Sequence, residues 1–370
     1  GSEMCIRDSG YGTAKRKDIT GSVASVNSET LAAIPVASAT EALQGKMAGV
    51  QITTTEGSPD AQMSIRVRGG GSITQSNEPL FIVDGFPVES ISDIPPTDIE
   101  SIDVLKDASS TAIYGARGAN GVIIVTTKSG KEGKVSVSYN AYYAWKKVAK
   151  TLDVLSASDY TKWQYELAQL TNKNDDYIKY FGNYQDLDMY DNVATNDWQD
   201  LTFGRTGHSF NHNLSINGGS DKFKYSFSYS HIDDKAIMQM SDYARDNLNL
   251  KLNHKPLKNV SLDFSARFSK TKINGGGSND ANSSLNTDKR LKYSLLYTPY
   301  PVPGISDALN ADEEDANSLL INPLISLRDN DTRKERINYN LAGSITWEII
   351  KDLKLKAEVG YCLLYTSPSP

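Results

Sequence analysis

Asn247-Leu-Asn-Leu-Lys-Leu-Asn253 alternates polar and apolar side chains without a break, and the next apolar run, Val260 to Ser269, does the same. A period of two residues is the signature of a β-strand with two unlike faces. One face carries Leu248, Leu250 and Leu252, then Val260, Leu262, Phe264, Ala266 and Phe268. The other carries Asn247, Asn249, Lys251 and Asn253, then Ser261, Asp263, Ser265, Arg267 and Ser269. Turning a lysine or arginine toward lipid at mid-membrane costs ~2 to 4 kcal/mol. The polar face must therefore meet water or another polar body, and the fold is decided by what the apolar face meets.

Working outward, the same alternation recurs along the chain. Lys134 to Trp145 places Val135, Val137, Tyr139, Ala141, Tyr143 and Trp145 on one side. Later runs offer Phe210, His212, Leu214 and Ile216; Phe223, Tyr225, Phe227 and Tyr229; Ile337, Tyr339, Leu341, Ile345 and Trp347; and Leu353, Leu355, Ala357 and Val359. With the two opening runs this makes seven strands, and only His212 interrupts the apolar faces. The connections alternate strictly: long at 148–207, short at Gly218 to Asp221, intermediate, short around Pro256, long at 273–335, and short at Lys351-Asp352. A sandwich has no reason to sort its loops by parity. A transmembrane barrel does, with short periplasmic turns and longer external loops, and it carries aromatic girdles that suit 20 tyrosines. The reading is an antiparallel transmembrane β-barrel whose seven strands leave open edges that lipid does not tolerate, so a larger barrel is expected.

The first third differs. From Tyr11 to Lys128 short helical and extended pieces alternate between glycines, giving a small α+β domain. Ser38 to Glu41 reads as a capping box before a helix over Ala39 to Met47. Leu80 to Val83, Asp84-Gly85 and Phe86 to Val88 read as a tight hairpin. Ala108 to Tyr114 reads as a short helix and Val122 to Thr127 as a buried strand. The loop GARGANG, Gly115 to Gly121, has the order helix, loop, strand. A dinucleotide fingerprint needs strand, loop, helix, so no cofactor is expected there. The triple Gly69 to Gly71 has no P-loop lysine and reads as a turn.

The net charge of -6 and the lack of a basic run speak against nucleic acid as a partner. The two ends, GSEMCIRDS at 1–9 and CLLYTSPSP at 362–370, hold the only cysteines and look like translated adapter text. Setting them aside leaves an α+β domain over 10–130 and barrel strands over 131–361, an internal fragment expected to be inert alone. It also leaves no disulfide framework or thiol nucleophile to propose.

The motifs YGTAKRKDITGSVASV from Tyr11, EALQGKMAGVQI from Glu41, SIRVRGGGSI from Ser64, PLFIVDGFPV from Pro79 and DIESIDVLKDASSTAIYGARGANGVIIVTTK from Asp98 resemble the SusC/RagA branch of the TonB-dependent outer-membrane transporters. Over 134 to 361 the resemblance rests on the strand pattern and on LSASDYTKW. It implies a plug domain held inside a large barrel in the bacterial outer membrane. It further implies TonB-driven import of oligosaccharides or peptides and a SusD-like surface lipoprotein as lid. The TonB-contacting box, and any N-terminal regulatory domain, would lie upstream of Gly10. In the same way the resemblance makes Arg66, Arg68 and Arg117 candidate plug–barrel contacts, meeting acidic residues on the wall.

No Ser-His-Asp or paired-carboxylate arrangement can be placed at a common cleft, so no enzyme is expected. His208 and His212 lack the glutamate of HExxH, and Asp312 to Asp315 reads as a solvated loop cluster rather than a metal site. In the first long loop Tyr177, Tyr180, Phe181, Tyr184, Tyr190 and Trp198 are candidate ligand or lid contacts, whereas Tyr160 and Trp163 read as packing for a helix opened by Ser156 and Asp159. Two other readings compete: uptake of a metal chelate or vitamin by the same kind of receptor, and a soluble β-rich adhesin whose apolar faces oppose each other in a closed core.

Overall fold

The computed structural model describes the chain apart from residues 1–5, 10–11, 16–22, 33–35, 37, 55–62, 68–76, 108–110, 276–288, 304, 307–321, 330–332, 352 and 369–370. Arg68, the Gly69 to Gly71 triple and the Asp312 to Asp315 cluster lie outside the described residues.

The chain opens with a hairpin of β1 (Ile6–Ser9) and β2 (Gly12–Lys15). The α+β domain then holds β3 (Val23–Asn27), β4 (Val50–Thr54), β5 (Met63–Val67), β6 (Leu80–Val83), β7 (Phe86–Val88), β8 (Ile99–Leu105) and β9 (Val122–Thr127). Five of them form one sheet in the order β3-β8-β9-β6-β7, and β4 pairs with β5 in a separate hairpin. β6 and β9 run parallel. β9 is the unbroken apolar run Val-Ile-Ile-Val because it is an inner strand, buried between β8 and β6. Leu31, Leu43, Ile65, Ile91 and Ile102 are fully buried in one core with Ile123 of this strand.

Ser38 caps its helix as expected, its Oγ accepting from Glu41 N at 3.2 Å. The helix stops at Leu43 rather than Met47, because Gln44 leaves helical geometry and Gly45 and Gly49 take positive φ of 69° and 72°. Asp84 and Gly85 also adopt positive φ, 51° and 92°, which the tight hairpin requires. In the GARGANG loop, Gly121 lies against Val67, with φ +95° and room for a Cβ only 3.0 Å from the valine side chain. That glycine serves packing between the two sheets.

Seven strands follow: β10 (Gly133–Lys146), β11 (Gly207–Gly219), β12 (Phe223–Lys235), β13 (Asp242–Leu257), β14 (Val260–Asn274), β15 (Arg333–Ile350) and β16 (Leu353–Pro368). They pair antiparallel in sequence order as one open sheet. Backbone pairing of β16 with β15 continues through Cys362 to Pro368. The register sets Tyr139, Leu214, Tyr229, Leu248, Phe268, Tyr339 and Leu363 in one row across all seven strands.

Burial is inverted relative to an ordinary domain. Val137 is 62% exposed, Leu341 45% and Val359 76%, whereas Asn213, Ser230 and Arg245 on the other face are 2 to 3% exposed. The polar face is covered by the α+β domain, and the apolar face looks away from the protein. A closed core of opposed apolar faces, as the adhesin reading requires, is not what the strands build. A belt of this kind suits acyl chains, and its ends carry rings: Trp145 and Tyr143 at one edge, Phe223 and Trp347 at the other. His212, the exception on the apolar face, is hydrogen-bonded through Nδ1 to the Tyr139 hydroxyl.

The two long connections fold onto each other beyond one end of the sheet. Helices Ala157–Thr171, Asn174–Phe181 and Trp198–Phe203 come from the first, Lys289–Leu296 and Pro323–Asp329 from the second. Ser156 caps the longest of them, its Oγ accepting from Asp159 N at 3.1 Å.

Candidate functional site

The contact between the small domain and the wall is built from hydrogen bonds. Lys251 extends from the polar face of β13, where period-two alternation places it between Asn249 and Asn253. Its Nζ donates to Asp84 Oδ1 at 2.7 Å and to the Thr127 carbonyl at 2.9 Å. Asp84 is held from its own side as well: Oδ1 accepts from Thr127 N at 2.9 Å and Oδ2 from the Thr127 hydroxyl at 2.7 Å. The Lys251 and Asp84 side chains are 14% and 13% exposed. One wall lysine thus engages the β6–β7 turn and the end of β9 together, just before the chain crosses into the wall.

A second acid, Asp98, is buried and meets neutral donors: Ser228 Oγ at 2.8 Å and Asn213 Nδ2 at 3.4 Å. Asp93 accepts from Asn338 Nδ2 at 2.9 Å, and Arg245 donates to the Ser92 carbonyl at 2.6 Å. A narrow cleft remains among Asp93, Asp98, Asn249, Arg267, Asn338 and their neighbours, so polar side chains line the seam on both sides.

The two acids titrate in opposite directions. Burial would raise the Asp84 carboxyl, but the Lys251 and Arg267 charges and the hydrogen bonds from Lys251 and Thr127 outweigh it and hold it below the usual range. Burial dominates at Asp98 and pushes its carboxyl up, only partly offset by Ser228, Asn213 and the charges of Lys128 and Arg245. A depressed carboxylate adds stability above its unfolded value of 3.8 that is lost as pH falls through the folded value. A raised one adds stability below 3.8 that is lost as pH rises through the folded value. Seating of the small domain should therefore tighten on acidification through Asp98's raised value, and the Asp84 contribution should fail only below 3.8. Hydrogen exchange of β9 amides against pH checks this, and Asp98→Asn should abolish the first phase alone.

Gly130, in the crossing segment, lies so close to Tyr225 that a Cβ would come 2.5 Å from its backbone N and O. Backbone on a paired strand cannot give way as a side chain can. Gly130→Ala should cost about 1 to 3 kcal/mol, the usual penalty of forced overpacking, read as a lowered midpoint of thermal unfolding.

The arginines expected at the seam are placed differently. Arg66 and Arg117 are exposed, and among the described residues neither has an ion-pair partner. At the described seam the small domain supplies acids and the wall supplies the cations. Among the described residues β5, which carries Arg66, pairs with β4 alone. The signal for the actual pair was present, since Lys251 and Arg267 are isolated cations on a face of Asn and Ser.

The loop aromatics divide by burial. Tyr177, Phe181 and Trp198 are buried, at 4%, 6% and 9% exposure, and so are closed to a ligand in this arrangement. They form the core of the external lobe. Tyr177 stacks on Phe181 at 5.3 Å, and Trp198 meets Tyr297 edge-on at 5.4 Å while its indole N–H donates to the Thr298 carbonyl at 2.8 Å. Tyr180 and Tyr190 are half-buried, Tyr190 donating to the Phe181 carbonyl at 2.9 Å. Tyr184 alone of the six is well exposed, at 55%. Tyr160 packs edge-on against Tyr300 at 6.2 Å, as a packing residue should, but Trp163 is exposed. Tyr300, from the second long connection, completes this core and bonds Thr161 Oγ1 through its hydroxyl at 2.6 Å.

Residues 15–122 match the family model for the TonB-dependent receptor plug domain. The chain is 39% identical over 246 residues to the TonB-dependent receptor SusC of Bacteroides thetaiotaomicron, covering 64% of this chain and 23% of that protein. It is 36% identical over 329 residues to the TonB-dependent receptor P26 of Formosa agariphila, covering 84% of this chain and 32% of that protein. Among solved structures it superposes on the RagAB peptide importer in the open-open state with a TM-score of 0.77 at 27% identity, covering 98% of this chain and 42% of that one. The ferric citrate transporter FecA shares the fold, with a TM-score of 0.56 at 13% identity, covering 95% of this chain and 41% of that one. The chain thus spans about a quarter to a third of the length of these curated relatives.

Proposed function

Because the chain belongs to the SusC/RagA family of TonB-dependent receptors, β-barrel proteins of the outer membrane, we propose that it supplies the plug and first wall strands of an active importer of oligosaccharides or peptides. Energy would pass from the inner membrane through TonB, and a SusD-like surface lipoprotein would lid the external mouth. The family is one of transporters rather than enzymes. One observation carries the reading: strands with an outward apolar belt hold a separate domain on their inner, polar face through Lys251, Asp84 and Asp98.

A plug must seal the lumen and yet come away from it. An apolar seam would seal, but moving it would expose greasy surface to water. A seam of Asn, Ser and a few charged pairs exchanges each protein hydrogen bond for one to water, so a typical bond contributes only about 0.5 to 1.5 kcal/mol net. A pull applied to the plug then meets a series of modest barriers and one strong one at Lys251. The external lobe, with its own aromatic core, stands at the mouth where cargo and lid would arrive, and Tyr184 is its exposed ring among the six candidates.

Similarity to the RagAB peptide importer supports the peptide branch of the proposal, while likeness to iron-chelate receptors such as FecA extends to the fold alone. The test is uptake of labelled oligosaccharide and peptide pools by cells with and without the complete receptor, with and without TonB, and with and without a SusD-like lipoprotein. Uptake that needs all three is expected. Accumulation indifferent to TonB would sink the proposal, and ferric-chelate uptake without a lipoprotein would install the competing reading.

A further inference from the structure

The chain is acidic as a whole, yet the sheet edge with the short turns is basic. The β11–β12 turn presents Lys222, the end of β13 Lys255, the β13–β14 turn Lys258, and the β15–β16 turn Lys351. All four are exposed, and among the described residues none has an ion-pair partner. The acids in these turns are Asp221 and, outside the described residues, Asp352. At the opposite end, carboxylates outnumber cations across the first long connection, 147–206. The lysines lie immediately below the apolar belt, beside Leu257 and Trp347, which are 61% and 45% exposed.

We infer that this edge is a lipid-headgroup hem: Lys222, Lys255, Lys258 and Lys351 bind the phosphates of anionic phospholipids in the periplasmic leaflet. The argument rests on the outer-membrane reading and adds a partner to it. A lysine at a belt edge lays its methylene stem along apolar surface and sets its ammonium at headgroup height. Three adjacent turns and the end of β13 bring four such ammonium groups to one end of the wall, and none of the four is held in an ion pair among the described residues. Each lysine near an anionic surface is worth ~1 kcal/mol, about a fivefold preference over a neutral one. The hem would fix how deep the wall sits, and with it the height of the plug seat.

The test reconstitutes the complete receptor in phosphatidylethanolamine vesicles with and without phosphatidylglycerol and reads the enrichment of spin-labelled phosphatidylglycerol against the protein. Enrichment of several-fold is expected for the unmodified receptor. It should vanish in 0.5 M salt and fall to near parity between the two lipids in Lys222→Gln/Lys258→Gln/Lys351→Gln. A control, Lys147→Gln/Lys150→Gln at the other end, should retain it. Equal occupancy by both lipids, or enrichment surviving the triple substitution, would overturn the hem while leaving the transporter reading intact. Failure of the unmodified receptor to insert into either vesicle would overturn both.

Discussion

Receptor carrying Lys251→Met should lose about 3 to 5 kcal/mol of plug seating, the cost of leaving one partner of a buried ion pair uncompensated. The magnitude follows from where the pair sits. Exposed ion pairs are worth about 0 to 1 kcal/mol because water competes for each partner, but Lys251 and Asp84 are both largely withdrawn from solvent. Removal of the ammonium leaves the Asp84 carboxylate facing the wall, with Thr127 donating to it and the Arg267 charge still acting on it. Conductance across planar bilayers gives the readout, since an unseated plug admits ions. Frequent channel openings are expected in Lys251→Met and in Asp84→Asn. The double variant should be better sealed than the sum of the two predicts, because neither member is then stranded. Additive effects, or two closed single variants, would show that the pair is not what holds the plug.

That pair also marks what could and could not be read in advance. The alternation of Asn247 to Asn253 is legible because pleating forces every second side chain to one face, whatever the rest of the chain does. The Asp84-Gly85 turn is legible because few residues accept positive φ. Both halves of the pair were therefore visible, each for a local reason. Their meeting spans 167 positions of sequence, and no local pattern records which part of a plug faces which strand. Family resemblance pointed instead to Arg66 and Arg117, which the structure leaves exposed. The external lobe is a related case. A tyrosine-rich loop reads the same whether its rings await a ligand or pack against each other, and the deciding residue, Tyr300, arrives from a different loop. The cap at Ser156 is readable because it needs only the four residues Ser156 to Asp159.

The second large effect separates the two faces within one strand. Leu341 and Ser344 both lie near the middle of β15, three residues apart, on opposite sides of the sheet. Leu341 is 45% exposed, pairs with Ala266 and Tyr361, and belongs to the outward belt. Ser344 looks inward and donates to Asp263 Oδ2 at 3.3 Å. In water the exposed Leu341 would be the more tolerant position, since an arginine there would be solvated at once. In a bilayer the order reverses: Leu341→Arg should cost about 2 to 4 kcal/mol of folding free energy into lipid, whereas Ser344→Lys gains a carboxylate partner on a hydrated wall and should be close to neutral. Equilibrium refolding of the complete receptor into vesicles, followed by the heat-modifiable shift of folded barrels on gels, measures both. If Leu341→Arg folds as well as the unmodified protein, the outward belt does not contact acyl chains, and the inverted burial of these seven strands would need another partner to cover it.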